Sequence, residues 1–218
     1  MTTILAIATA TEQVGVALSS PGGEGAISLR AGRRHGENLA PAIRSLLELA
    51  RVTPADVELI AVDRGPGLFT GLRVGIATAK AMAAALGRPM VAASSLDILA
   101  RPLQGLGRPV ASIVDARRGE CFWALYDGSG ERVGEPAVAA PEVLAKVLAD
   151  LDEPPLLVGD GARRYRDALG LDVAPELFDH PSAQVLAAMA PGLPPQAPEA
   201  VSALYLRGAD VRIGWETR

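Results

Sequence analysis

The chain has 218 residues, 49% of them hydrophobic, with a formal net charge of −4 and a mean hydropathy of +0.23. That is enough apolar material for one large or two small domains, and it excludes an intrinsically disordered chain. The acidic balance argues against a protein that grips nucleic acid unaided, and Arg pairs such as Arg33–Arg34, Arg117–Arg118 and Arg163–Arg164 fit a solvated surface.

In chain order, "TILAIAT" (3–9) is a short apolar run of buried-strand type. "QVGVALSS" (13–20) alternates apolar with small or polar residues, and "GAISLRAG" (25–32) follows a "PGGEG" turn, so three strands should form an antiparallel meander. In "GENLAPAIRSLLELARV", Leu39, Ile43, Leu46, Leu47 and Ala50 share one helical face, with Pro41 expected in the first turn. "VELIAVD" (57–63) is a strand, "RGPGLFTGLRVGIATAKAMAAALG" (64–87) a glycine loop running into a second helix, and "RPMVAAS" (88–94) another strand. Periodicity lapses in the Pro- and Gly-rich "RPLQGLGRP" (101–109), which sets a boundary between a unit of residues 1–103 and a smaller one of residues 104–218. The second unit repeats the pattern: strands "VASIVDA" (110–116), "CFWALYD" (121–127) and "RVGEPAV" (132–138), a helix (141–150), a strand "PLLVGD" (155–160) and a short helix (161–168). The order β-β-β-α-β-α thus occurs twice, a duplicated mixed sheet. "APGLPPQAP" (190–198) should be an extended linker, and the remaining tail should pack back.

The inventory of reactive groups is thin. The two histidines, His35 and His180, and the single Cys121 do not supply the three or four ligands of a zinc or iron site. Cys121 lies in a strand and fits a small core residue of a reducing compartment. No G-x-S-x-G elbow is present. Gly65, Gly67 and Gly71 match neither the Walker A loop nor the dinucleotide fingerprint, which leaves only anion binding at the helix start open. No run approaches ~18 apolar residues and the N-terminus lacks a basic leader, so a cytoplasmic protein without membrane contact is expected.

The helix after the loop says more. Gly71, Gly75, Ala79 and Ala83 recur every four residues, a small face that would let another backbone approach; Leu72, Ile76 and Met82 lie opposite, and only Arg73, Thr78 and Lys80 break the apolar surface. A helix apolar nearly all round must be covered on both sides. The sheet covers one side and the first helix part of the rest. The expectation is that this glycine- and alanine-lined rod stays exposed until a second polypeptide shields it; cover by the second lobe is the alternative.

On "ILAIATATE" (4–12), "RHGENLAPAI" (34–43), "GPGLFTGLRVGIATAK" (65–80), "SSLDILA" (94–100), "VDARRGECFWALY" (114–126) and "LYLR" (204–207), the chain resembles the bacterial TsaB (YeaZ) family, also labelled glycoprotease-like. The resemblance implies an α/β fold with two duplicated actin-like/Hsp70-like (ribonuclease H-like) lobes. It implies a non-catalytic subunit for making threonylcarbamoyladenosine in tRNA, beside a catalytic sister subunit that carries a His-x-x-x-His metal motif and beside a small ATPase subunit. It further implies pairing of the first two helices with the sister or a second copy, contact with tRNA only through the complex, and no cofactor of its own beyond ATP or ADP near the assembled interface. On the matching motifs and their helix faces the expected partner-binding residues are His35, Glu37, Asn38, Leu39, Pro41, Ala42, Leu46, Thr70, Arg73, Gly75, Ala79 and Lys80.

The chain departs from that pattern in several places. Ala8 and Ala10 stand in "ATAT" where the family has Asp-Thr-Ser-Thr, Gly36 and Leu68 replace Ser, and Ala203 replaces Pro. An Asp at position 8 would organise metal and phosphate in an ATPase; Ala8 supplies no oxygen. A peptidase and a small-molecule kinase-like ATPase are the rival readings.

Overall fold

The computed structural model describes residues 2–32 and 34–207. The end of the expected tail, 208–218, lies outside the described residues. The strands are β1 (Ile4–Ala8), β2 (Gln13–Ser20), β3 (Gly23–Arg30), β4 (Leu59–Asp63), β5 (Met90–Ala93), β6 (Val110–Arg117), β7 (Glu120–Tyr126), β8 (Arg132–Ala139) and β9 (Leu156–Val158). The α-helices are α1 (His35–Ala50), α2 (Phe69–Leu86), α3 (Ser95–Ala100), α4 (Pro141–Ala149), α5 (Asp160–Arg164), α6 (Arg166–Leu169) and α7 (Ala183–Met189).

β1 is buried at all five positions, as a strand covered on both faces must be. It centres a sheet of order β3-β2-β1-β4-β5, antiparallel to β2 (Ala6 opposite Ala17) and parallel to β4 (Ala6 opposite Ala61). The second sheet, β8-β7-β6-β9, repeats that design around β6: Ser112 faces Ala124 of antiparallel β7 and Val158 of parallel β9. The duplication legible in the sequence is therefore a duplicated topology, with the second sheet one parallel strand shorter. These two lobes form the α/β, actin-like architecture expected.

Each sheet is sandwiched. α1 and α2 cover one face of the first, where Leu39, Ile43 and Ile76 meet Leu5, Ile7 and Ile60. Each such aliphatic side chain contributes roughly 2 kcal/mol when fully buried. The other face holds the small residues Ala6, Ala17 and Ala61 beneath Leu186 of α7. In the second lobe, α4 and α5 cover the face of Ile113 and Leu157, and α3 covers the face of Val110 and Val114. The lobes thus exchange helices. α3, from within residues 1–103, packs on the second sheet, and α7, from within residues 104–218, packs on the first.

Several local expectations change. α3 and α7 are too short for a periodic signal; their starts are marked by Ser94, whose Oγ accepts from Leu96 N, and by Ser182, whose Oγ accepts from Val185 N. The short helix expected at 161–168 breaks at Tyr165 into α5 and α6. Pro41 lies in the second turn of α1, because the helix already begins at the buried His35. Its missing N–H leaves the Glu37 carbonyl without its helical donor, on the exposed side of the helix. The expected linker is not free: Gln196 and Met90 exchange backbone hydrogen bonds of 2.7 and 3.0 Å. From there the chain runs back as a strap. Val201 enters the first-lobe core, Leu204 N donates to Arg64 O (2.7 Å), Leu206 packs on the second-lobe core, and Arg207 pairs with Glu120.

Candidate partner-binding surface

The β1–β2 turn holds the base of α2. Thr9 Oγ1 donates to Gly71 O (2.9 Å), Leu68 N donates to Ala10 O (2.7 Å), and His35 Nε2 lies 2.7 Å from Thr11 O. Close approach of these backbones explains the glycines. A Cβ on Gly67 would overlap the Ala10 carbonyl, one on Gly71 the Thr9 carbonyl, and one on Gly75 the Thr9 hydroxyl.

This corrects the expected orientation of α2. Gly71, Gly75, Ala79 and Ala83 are all buried against the chain's own turn and sheet. The side turned to solvent is a second stripe of small residues, with Thr70, Arg73, Ala77, Ala81 and Ala84 exposed along it. Nothing in the described chain covers that stripe. α1 exposes Ala40, Pro41 and Arg44 as well.

The partner-binding candidates therefore divide. Glu37, Pro41, Thr70 and Arg73 are exposed, and Asn38 and Lys80 are half-buried. His35, Leu39, Ala42, Leu46, Gly75 and Ala79 point into the fold. Two of the half-buried or exposed groups have local work: Asn38 Nδ2 donates to Arg34 O (2.8 Å), and Lys80 Nζ reaches Glu199 O on the strap (3.4 Å). Sequence reasoning missed the cluster at the start of α2, where the Arg73 guanidinium lies 3.7 Å over the exposed Phe69 ring and Tyr205 stacks beside it at 5.9 Å.

The glycine loop is engaged internally. Gly65 N (2.9 Å) and Ser95 Oγ (2.6 Å) both donate to Asp63 Oδ1, and Ser95 N donates to Gly65 O (2.8 Å). Burial pushes the Asp63 carboxyl up to about 6 against those two donors, and its Oδ2 has no partner. Burial likewise raises Asp160 to about 7. Each folded-state value lies above the ordinary 3.8, so the stabilisation is complete below pH ~4 and is lost as pH rises through 6 to 7. Asp63→Asn keeps an oxygen for both donors. It is expected to remove about 3 kcal/mol of stability change between pH 4 and 7, read by denaturant titrations at the two pH values.

Beside the β1–β2 turn, a cleft between the lobes is lined by Glu12, His35, Leu68, Phe69, Thr70 and Arg117. Arg117 crosses it to Glu12 (2.7 Å) and also pairs with Asp115 (3.1 Å); the guanidinium holds Glu12 below the usual carboxylate range. Tyr165 Oη donates to Asp115 Oδ1 (3.3 Å), and Asp115 N to Asp160 Oδ1 (3.0 Å). Ala8 and Ala10 are buried and put no oxygen from their side chains into this cleft. Burial pushes the Cys121 thiol up to about 12, which leaves it unreactive near neutral pH. Among the described residues no three His, Cys, Asp or Glu side chains group as metal ligands, and no helix is long and apolar enough to cross a membrane.

A family model described as TsaD, tRNA N6-adenosine threonylcarbamoyltransferase, matches residues 9–161. The tRNA threonylcarbamoyladenosine biosynthesis protein TsaB of Escherichia coli is 36% identical over 171 residues, which cover 75% of this chain and 74% of that protein. A tRNA N6-adenosine threonylcarbamoyltransferase of Erythrobacter litoralis is 45% identical over 67 residues, 31% of this chain and 20% of that one. The solved structure of YeaZ from Pseudomonas aeruginosa superposes with a TM-score of 0.81 at 32% identity, covering 94% of this chain and 100% of that chain. In sequence and in fold, the chain belongs to the TsaB (YeaZ) family.

Proposed function

We propose that this protein is a non-catalytic scaffold subunit in the biosynthesis of threonylcarbamoyladenosine in tRNA, docking on a catalytic sister subunit through the outward faces of α1 and α2. The observation that carries the reading is the outward stripe of α2. An 18-residue helix that carries only Arg73 and Lys80 as charged residues turns exposed alanines to solvent at positions 77, 81 and 84. A surface helix normally places charged groups there, and small residues allow a second helix to pack closely. Within this reading a second copy takes the same face when the sister is absent, the small ATPase subunit joins the pair, ATP or ADP binds near the assembled interface, and tRNA is met only through the complex.

The scaffold acts by binding the competent state of the sister more tightly than its other states, since an equilibrium shifts only by differential affinity. The peptidase and kinase-like readings find no support in the site: Cys121 is buried with its thiol pushed up to about 12, and Ala8 supplies no side-chain oxygen. The test is complementation. In cells lacking the corresponding gene, this chain is expected to restore the modified nucleoside in tRNA, measured by mass spectrometry of tRNA digests. Ala77→Arg is expected not to restore it. Restoration by both forms would overturn the docking face, and by neither would overturn the function.

A further inference from the structure

Most arginines at the lobe junction are neutralised within the chain. Arg117 pairs with Glu12 (2.7 Å), Arg163 with Asp179 (3.1 Å), Arg132 with Asp97 (3.5 Å) and Arg30 with Glu176 (3.6 Å). Arg64 is different. It is half-buried in the loop after β4, and among the described residues its side chain has no hydrogen-bond or ion-pair partner. Arg101 is exposed and donates only to the neutral amide oxygen of Gln104 (2.8 Å).

Both arginines line one crevice of about 940 Å³ between the lobes, which shares no lining residue with the Glu12–Arg117 cleft. Its wall is mixed, with Ala92, Leu193 and Leu204 on an apolar side and Ser94, Ser129 and Arg132 among the polar groups. Asp97 also lines it, but that carboxylate accepts from Tyr126 Oη (2.7 Å) and pairs with Arg132, so it does not balance Arg64. Glu131 is exposed, and the Glu135 side chain is 90% exposed, at the rim. Among the described residues neither Arg64 nor Arg101 thus has a carboxylate partner, although the crevice also carries Leu193 and Leu204.

A half-buried guanidinium without an anionic partner is free to take one, and a planar oxyanion satisfies its donors in pairs. The crevice lies at the C-terminal ends of parallel β4 and β5, through Arg64, Ala93 and Ser94, where open α/β sheets receive ligands. Its volume falls in the ~300–1,000 Å³ range of small-molecule sites.

We propose that this crevice binds a small organic carboxylate, with the anionic group on Arg64 and Arg101 and an apolar body over Leu193 and Leu204. The site is separate from the docking face, because none of the outward α2 alanines lines it. It therefore stands or falls independently of the scaffold reading.

The test uses the full chain, labelled with nitrogen-15 and titrated with hexanoate, with inorganic phosphate and with a hexaglutamate peptide while amide shifts are followed. Hexanoate is expected to saturate with a Kd of about 1 mM or below and to move the amides of Arg64, Ser94 and Gly130. Phosphate, which lacks the apolar body, should bind at least about tenfold more weakly. Arg64→Gln and the exposed Arg101→Gln should each weaken hexanoate about tenfold, whereas Arg166→Gln on α6 should not. The spectra themselves report whether each variant is folded. No saturable shift, equal affinity for phosphate, or undiminished binding by both arginine variants would overturn the proposal. Binding of the peptide alone would overturn it in favour of a docking groove for acidic chains.

Discussion

Arginine in place of Ala81 is expected to raise the dissociation constant for the sister subunit at least about 100-fold, close to 3 kcal/mol, while leaving the melting temperature of the isolated chain nearly unchanged. Ala81 is exposed in the middle of the outward stripe of α2, between Ala77 and Ala84. A long cation there would hold two helix backbones apart and carry an unpaired charge into the contact. The chain alone loses nothing, because no described residue packs on that position. Leu177→Arg is the matched control, since Leu177 is 83% exposed in a short turn remote in sequence from both helices. Calorimetric titration of the sister with the variants, and thermal melts of each chain alone, separate binding from folding. Substitutions at Leu39 or Ala79 would not make that separation. Both side chains are buried in the first-lobe core, so a charge there would unfold the lobe and abolish binding for a different reason.

The second large effect lies on the opposite side of the same helix. Gly71→Ala places a methyl against the Thr9 carbonyl oxygen, which is backbone and cannot rotate away. The turn and α2 would have to separate, losing the Thr9 Oγ1–Gly71 O bond and the Leu68 N–Ala10 O bond. Overpacking of this kind costs about 1–3 kcal/mol, and for a chain of this length roughly 2–4 °C of melting temperature goes with each kcal/mol. A fall of several degrees is expected in thermal melts. Gly36→Ala, on the exposed first turn of α1 where an added Cβ meets nothing, should leave the melt unchanged or raise it slightly. An unshifted melt for Gly71→Ala would mean that the helix does not sit on the turn as described.

The two stripes of α2 explain what could and could not be seen in the sequence. Small residues at positions 71, 75, 79 and 83 mark a face, and alanines at 77, 81 and 84 mark another. Periodicity shows that both faces are small but not which one meets the sheet. That choice is made by Thr9 and Ala10, some sixty residues earlier, whose backbone lies against the glycines. The duplicated strand order was legible because the strands are apolar runs bounded by short turns. The helices that cross between lobes were not. α3 and α7 have six and seven residues, too few for a helical period to stand out, and each takes its position from the other unit's sheet.

The polar features were less visible still. Asp63 ends an ordinary strand run, and only the fold brings Ser95 and Gly65 N–H to one of its oxygens while leaving the other without a donor. The Arg73–Phe69–Tyr205 stack joins residues far apart in the chain through the returning strap. Ala8 and Ala10 stand where the resemblance puts oxygen-bearing side chains, and both are buried in the fold.

Thiol protection on α2 tests the docking face most directly. The native Cys121 is buried and its thiol is pushed up to about 12, so a cysteine introduced by Ala81→Cys is the group a maleimide should find. The expectation is fast labelling of that variant alone and at least about 100-fold slower labelling once the sister subunit is saturating, with Leu177→Cys unaffected in both states. Labelling of Ala81→Cys at the same rate with the sister bound would contradict the account.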